Sequence, residues 1–146
     1  MSVAQQPTTS QGDVAFHYGD LTTERDGIEM RAYSCHLATV VAISGDVDAT
    51  NVARFTAHIT HLVPLGNALL VDLSGVSFFA VRSMSALLAV DGACQRVRTP
   101  WALVTSHAVK RVLRLSECSY ILPTVSTVPA AMDYFTHLTR MRRQVP

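Results

Sequence analysis

Two apolar runs, 37–43, rich in β-branched residues, and 68–73, with a single acid, are each followed by a stretch in which apolar side chains recur at steps of three and four. Side chains repeat every two residues in a strand and every 3.6 in a helix, so a chain that changes period in this way is building strand–helix units. The first run, Leu37-Ala38-Thr39-Val40-Val41-Ala42-Ile43, carries no charge. That is the pattern of a central strand covered on both faces, here closed by Ser44-Gly45. After it, Val52, Phe55, Ile59 and Leu62 form one helical stripe, which Asp48 or Thr50 can cap and Pro64 with Gly66 ends.

The alternation continues along the chain. Residues 68–73 read as a second strand and 74–79 as a connecting segment, leading to a helix over 83–97 with Leu87, Val90, Cys94 and Val97 inward. Thr99-Pro100 breaks the chain before a strand at 101–105, and Ser106 is placed to cap a helix over 107–115 that turns Val109, Val112 and Leu113 inward. A short strand at 120–122 precedes a last helix, opened by Ser126 or Thr127 with Pro129 in its first turn and carrying Met132, Phe135 and Leu138. Nearer the start, Ile28, Met30 and Ala32 alternate with Glu29, Arg31 and Tyr33, which fits a half-buried edge strand. Asp26-Gly27 is a turn signal, and 14–25 allows either a short strand or an irregular lead-in. The pattern places one domain at 28–139, between a largely flexible extension, 1–27, and a basic tail, 140–146, with Arg140, Arg142 and Arg143. Strands alternating with helices predict an α/β domain with a mostly parallel sheet and right-handed crossovers.

A chain of 146 residues, 49% hydrophobic and 16% charged, can bury one proper core and is too short for two ordinary domains. Twelve Lys and Arg against eleven Asp and Glu leave a net charge of +1, which provides no long-range field for nucleic acid or an anionic membrane. Partners must then be recognised by local shape. Lys110, Arg111 and Arg114, on the outward face of their helix, are too few for a nucleic-acid surface and read as a solvated face or a contact for a partner's acidic patch. Cys35, Cys94 and Cys118 form no CxxC or Cys/His ligand spacing, so reduced thiols of a cytoplasmic protein are expected. Residues 1–10 have neither the basic nor the apolar part of a secretory peptide. The apolar stretch 68–90 is interrupted by Asp72, Ser74, Gly75 and Arg82, so no membrane span is expected.

Catalytic chemistry finds no foothold. There is no GxSxG, no Cys with a credible base and no Gly-rich phosphate loop, so neither an enzyme nor a cofactor is expected. His58 and His61 are three apart on one helix, a spacing zinc sites use, but no third ligand lies nearby in sequence and a solvated polar face is the expectation, with no metal. Asp46 and Asp48 lack the glycine and second acid cluster of a calcium loop and are expected to cap the helix or contact a partner.

Three segments in this order carry a family likeness: Ile43-Ser44-Gly45-Asp46-Val47-Asp48, Leu70-Val71-Asp72-Leu73-Ser74-Gly75-Val76-Ser77-Phe78-Phe79, and Ser106-His107-Ala108-Val109-Lys110-Arg111-Val112-Leu113. They resemble the strand-end motif, the central strand with its loop, and the third helix of the STAS domain, the family of bacterial anti-sigma factor antagonists and of the cytosolic tails of sulfate transporters. The resemblance implies a four- or five-stranded mixed, mostly parallel sheet with about four helices packed mainly on one side. It also implies regulation of transcription by binding a protein partner, an anti-sigma factor or related regulator, through the loop of Asp46 and Asp48 and the segment Ala80, Val81, Arg82, Ser83 and Ser85.

At that segment the chain departs from the family. Antagonists usually read Asp-Ser-Ser/Thr-Gly-Leu after the aromatic and apolar pair, with the first serine phosphorylated by the partner kinase. Here Phe78-Phe79 is followed by Ala80-Val81-Arg82-Ser83-Met84, and an ungapped register puts Val81, which has no hydroxyl, at the phosphorylated serine. Two readings follow: a domain that presents one state because that switch is gone, or one in which Ser83 or Ser85 has taken the role, Ser83 being equally placed to cap the helix. Arg82 beside the N–H groups of a helix start could also form an anion site. A different class of function, a sensor binding an anionic or apolar small ligand near Arg82 and Phe79, is the alternative.

Overall fold

The computed structural model describes residues 21–25, 27–36, 38–117 and 121–144. Of the extension over residues 1–27, expected to be largely flexible, residues 1–20 and 26 lie outside them. In chain order the elements are β1 (Leu21–Arg25), β2 (Ile28–Cys35), β3 (Ala38–Val47), α1 (Val52–Leu62), β4 (Ala68–Phe79), α2 (Met84–Arg96), β5 (Trp101–Val104), α3 (His107–Ser116), β6 (Thr124–Val125) and α4 (Val128–Gln144). One mixed sheet takes the strands in the order β1-β2-β3-β4-β5-β6. The first three pair antiparallel and the rest parallel, as a meander joined to strand–helix–strand units requires.

Alternation along each strand splits the interior into two layers. Met30, Val41, Ile43, Leu69, Val71, Leu73 and Leu103 point to one face, where Phe55 and Ile59 of α1, Leu87 and Val90 of α2, and Val109 and Leu113 of α3 close over them. On the opposite face Ala38, Val40, Ala68, Leu70, Ala102 and Val104 meet Ala131 and Phe135 of α4. Three helices on one face and one on the other account for the uncharged run in β3, both of whose faces are buried at Ala38 through Val41. Ser106 caps α3 as the sequence indicates, its Oγ accepting from Val109 N at 3.2 Å. Thr127 does the same for α4 through Ala130 N at 3.1 Å.

Several elements differ from their sequence pattern. β2 is not an edge: β1 pairs with its outer side from Leu21↔Ala32 to Arg25↔Ile28, so the sheet begins before residue 28, and α4 runs on past 139. Ser44-Gly45 does not close β3, nor is 74–79 a connection. Each strand finds hydrogen-bonding partners in the other through Ser44↔Gly75, Gly45↔Val76, Asp46↔Phe78 and Val47↔Phe79, and two register shifts absorb the mismatch. The last strand falls at Thr124–Val125, after the 120–122 that the pattern suggested, because the β5 edge is reached only beyond Pro123, whose carbonyl takes Leu103 N at 3.0 Å. Val97 lies one residue past α2 and is exposed, the chain turning away at Arg98 with φ 56°.

Gly45 is the tightest point of this arrangement. Its φ is +105°, and a Cβ there would stand 2.2 Å from the carbonyl oxygen of Gly27. Gly45→Ala is expected to cost more than about 2 kcal/mol, since it adds a left-handed conformation to a backbone collision. A urea midpoint equal to wild type would show that the β2–β3 approach is looser than described.

Candidate partner-binding surface

Where β3 and β4 end side by side, their two following segments are brought together. Val47 pairs with Phe79, and Ala80 N donates to Val47 O at 2.9 Å, so the loop holding Asp46 and Asp48 touches the chain that enters α2. The loop is held from within by Asn51, which is only 1% exposed. Its Nδ2 donates to Asp46 O at 2.8 Å and its Oδ1 accepts from Asp48 N at 3.0 Å, bridging the turn from below. Asp48 does not cap α1. Its Oδ1 accepts from Thr50 N at 2.9 Å and from Thr50 Oγ1 at 2.6 Å, a local turn in which the short acid side chain competes with the helix for the backbone. Those two bonds to the ionised form, the hydroxyl first, hold the Asp48 carboxyl below its ordinary range. The residue in the N-cap position is Asn51, whose side chain is already spent on the loop.

The second segment starts extended at Ala80, makes a 3-10 turn over Val81–Ser83 and continues as α2. Val81 is 58% exposed and Phe78, at the end of β4, 51%. Arg82 and Ser85 are exposed too, and Ser85 Oγ donates to Arg82 O at 3.1 Å. Ser83 behaves otherwise: it is 1% exposed, its hydroxyl makes no hydrogen bond, and it caps nothing. Expected as a contact, a phosphoacceptor or a cap, it is turned into the interior, where neither a kinase nor a partner reaches it in this conformation. Of the N–H groups expected to hold an anion beside Arg82, those of Ser83 and Met84 are taken by Ala80 O and Val81 O. Phe79, expected near a ligand, is core, its ring edge-on to Phe55 with centroids 6.4 Å apart.

The remaining candidates lie away from this surface. His58 is half-buried on α1 and its pKa is lowered, by burial first and then by Arg54 and His61, while His61 is exposed. Among the described residues no three His, Cys, Asp or Glu side chains stand close enough to hold a metal. Cys35 and Cys94 are free thiols, and burial, with Asp91 second, pushes Cys94 up to about 12. Cys118 is outside the described residues. Lys110, Arg111 and Arg114 are exposed on α3. No described helix is long and apolar enough to cross a membrane.

Two residues of the surface escaped the sequence reading. With 74–79 read as a connection, Phe78 and Phe79 count as one apolar pair; only once β4 runs through Phe79 does strand alternation send the two to opposite faces. Asn51 carries no such signal, since an asparagine before a helix reads as an ordinary cap.

The match to the STAS domain family spans residues 24–131, so the chain belongs to that family. It is 34% identical over 142 residues to Osmosensory protein A of Mycobacterium tuberculosis, covering 94% of this chain and 85% of that protein. Its fold is similar to an anti-sigma factor antagonist from Mycobacterium paratuberculosis, with a TM-score of 0.67, 21% identity, and coverage of 78% of this chain and 98% of the other. It is also similar to a putative anti-sigma factor antagonist from Thermotoga maritima, with a TM-score of 0.66, 18% identity, and coverage of 73% and 94%.

Asn51→Ala leaves Asp46 O and Asp48 N without their partner and is expected to cost about 1–3 kcal/mol, whereas Ser83→Ala removes a buried hydroxyl that has none and should be neutral or stabilising. Chemical denaturation of both variants checks the contrast, and equal losses would mean Asn51 does not hold the loop. A lowered carboxyl pKa contributes stability above the unfolded value, 3.8 for Asp48, and loses it as pH falls through the lower folded value. Thr50→Val should therefore move the Asp48 titration, followed by NMR, up toward 3.8.

Proposed function

We propose that this protein is a regulatory domain of the anti-sigma factor antagonist kind, without catalytic activity, that works in the cytoplasm by binding an anti-sigma factor or a related regulator. The observation that carries this reading is the exposure of Phe78 and Val81, 51% and 58%, at the joined ends of β3 and β4. Exposed large apolar side chains with polar neighbours, here Asp46 in register with Phe78 and Asp48, Arg82 and Ser85 in the two joined segments, suit the centre and rim of a protein interface. Ala80, half-buried between them, completes the contact, and Ser83 acts from beneath by packing. The family and the antagonist-like fold support the partner class, and the mycobacterial relative's name supports a role in the response to osmotic conditions.

Switching by phosphate at the family's usual position does not operate here, because Val81 offers no oxygen. Ser85 is the exposed hydroxyl of the segment and the one a kinase would modify. The surface is tested by pull-down from the native host with wild type, Phe78→Ser, Val81→Asp and Lys110→Glu, each first shown to be folded. Wild type and Lys110→Glu are expected to retain an anti-sigma-type protein, and the other two less than about a tenth as much, since one buried apolar anchor is worth ~1.5–3 kcal/mol. Retention by Val81→Asp at the wild-type level would remove this surface from consideration.

A further inference from the structure

The three helices that share one face of the sheet are not packed alike. α2 packs closely on α1 and touches α3 only lightly. The residue pattern of α2 accounts for both. Leu87, Val90 and Cys94 are buried, and residues three and four apart share a flank, so Ala86 and Ala93 fall on one side of that core stripe and Leu88, Asp91 and Gln95 on the other. Asp91 bonds to Trp101 at the start of β5, so its flank is the one turned toward α3. The flank of two alanines, over which a helix can come close, is left to α1.

α3 follows β5 as α2 follows β4, and those strands are parallel, so the two helices run in the same direction. Parallel helices lying side by side meet through opposite flanks. On α3 the flank toward α2 carries Ala108, Arg111 and Leu115, while Lys110 and Arg114 lie on the flank turned away. A groove runs between the two helices. Val81 stands at its head; Leu88, seven residues further on, is 38% exposed, and Leu115 on the opposite wall is 67% exposed. Gly92 adds no side chain to one wall and Ala108 only a methyl group to the other. Arg96 lies back along α2, its Nη1 3.9 Å from where a Cβ on Gly92 would be, and Arg111 is exposed across from it. No acid occurs in α3, and Asp91, the acid of α2, already accepts from Trp101 and Gln95.

We propose that this groove receives an amphipathic helix of the protein partner, its apolar stripe seated on Val81, Leu88 and Leu115 and its acidic flanks against Arg96 and Arg111. The inference rests on the partner-binding reading of the Phe78 and Val81 surface and adds to it the form of the partner's contacting element. The groove is continuous with that surface through Val81 and runs along two helix axes, a shape that an inserted helix fills. Val81 and Leu88, seven residues apart, space the anchors as the apolar stripe of such a helix is spaced. Walls that carry cations and no free acid favour an acidic flank and oppose a basic one.

The probe is a capped peptide of about 15 residues, long enough to form a helix on binding, with leucines at steps of three and four and glutamates on its flanks. It is compared at constant ionic strength with a shuffled peptide of the same composition and with its lysine-for-glutamate counterpart. Amide NMR titration of the full chain is expected to show saturable shifts at Leu88, Gly92, Ala108 and Leu115, a gain of helical circular dichroism, and about tenfold weaker binding of either control. Leu88→Ser and Leu115→Ser, each folded, should weaken the acidic peptide by about tenfold, Arg111→Glu should cut its advantage over the lysine peptide by about as much, and Lys110→Gln should leave affinity unchanged. No saturable shift, equal affinity for the three peptides, or wild-type binding by Leu88→Ser would each overturn the proposal. Self-association of the chain that Leu88→Ser abolishes, with no peptide bound, would give the groove to a second copy and overturn it as well. In the pull-down, retention of the anti-sigma-type protein by Leu88→Ser and Leu115→Ser but not by Val81→Asp would remove the groove and leave the loop surface standing, whereas retention by all three would remove both.

Discussion

Parallel strands normally end where the chain leaves for its crossover helix, yet β3 and β4 stay paired well past the last residues that an apolar pattern marks as strand. Two glycines make this extension geometrically accessible. Gly45 lies against the Gly27 carbonyl with a left-handed φ, and Gly75 lies against Ser44 where any side chain would collide. The bulges beside them let the strands finish together at Val47 and Phe79. Without that extension the loop of Asp46 and Asp48 would not reach the segment from Ala80 to Ser85, and the molecule would present two unrelated ends instead of one surface.

The surface so formed is rigid for reasons that lie beneath it. Asn51 spends both ends of its amide on the loop backbone, a stronger use than capping because both the donor and the acceptor it satisfies belong to one turn. Ser83 is buried without a partner, which costs stability, and the burial of Met84 and Leu87 behind it keeps the helix entry in place against that cost. What remains outside is short: two apolar side chains, two acids and a cation. A phosphate at the position of Val81 would add about −1.5 to −2 charges to the segment that follows β4. A valine there contributes exposed apolar area and no charge.

Most of the architecture could be read from the chain because it follows from period. The stripes of α1 and α3, the double coverage of β3 and the cap at Ser106 all rest on local spacing, and local spacing is what periodicity reports. The errors share a cause as well. Ser44-Gly45 and 74–79 contain turn residues, and they are strand only because each supplies the other's hydrogen-bonding partner, a relation between segments some thirty residues apart. At the site, the family likeness and the acids located the loop, while the inward turn of Ser83 and the role of Asn51 depend on which way a helix enters the core. The groove between α2 and α3 is less legible still, since Leu88 and Leu115 share no motif and line one groove only because the two helices lie side by side.

The position of α2 follows from two fixed points, one near its middle and one at its entry. Near its middle, Asp91 accepts from Trp101 Nε1 at 2.9 Å and from Gln95 Nε2 at 2.7 Å, tying the helix to the first residue of β5. At its entry, the bond from Ala80 N to Val47 O ties the chain to the end of β3. A helix held at two separated points cannot slide or tilt without breaking one of them, so its entry keeps its place relative to the acid loop. Preorganisation of this kind would lower the ordering entropy of the proposed association, which matters most for a contact with few anchors. It also means that a signal able to move this surface must act on one of those two ties or on the strands that carry them, β3 and β4.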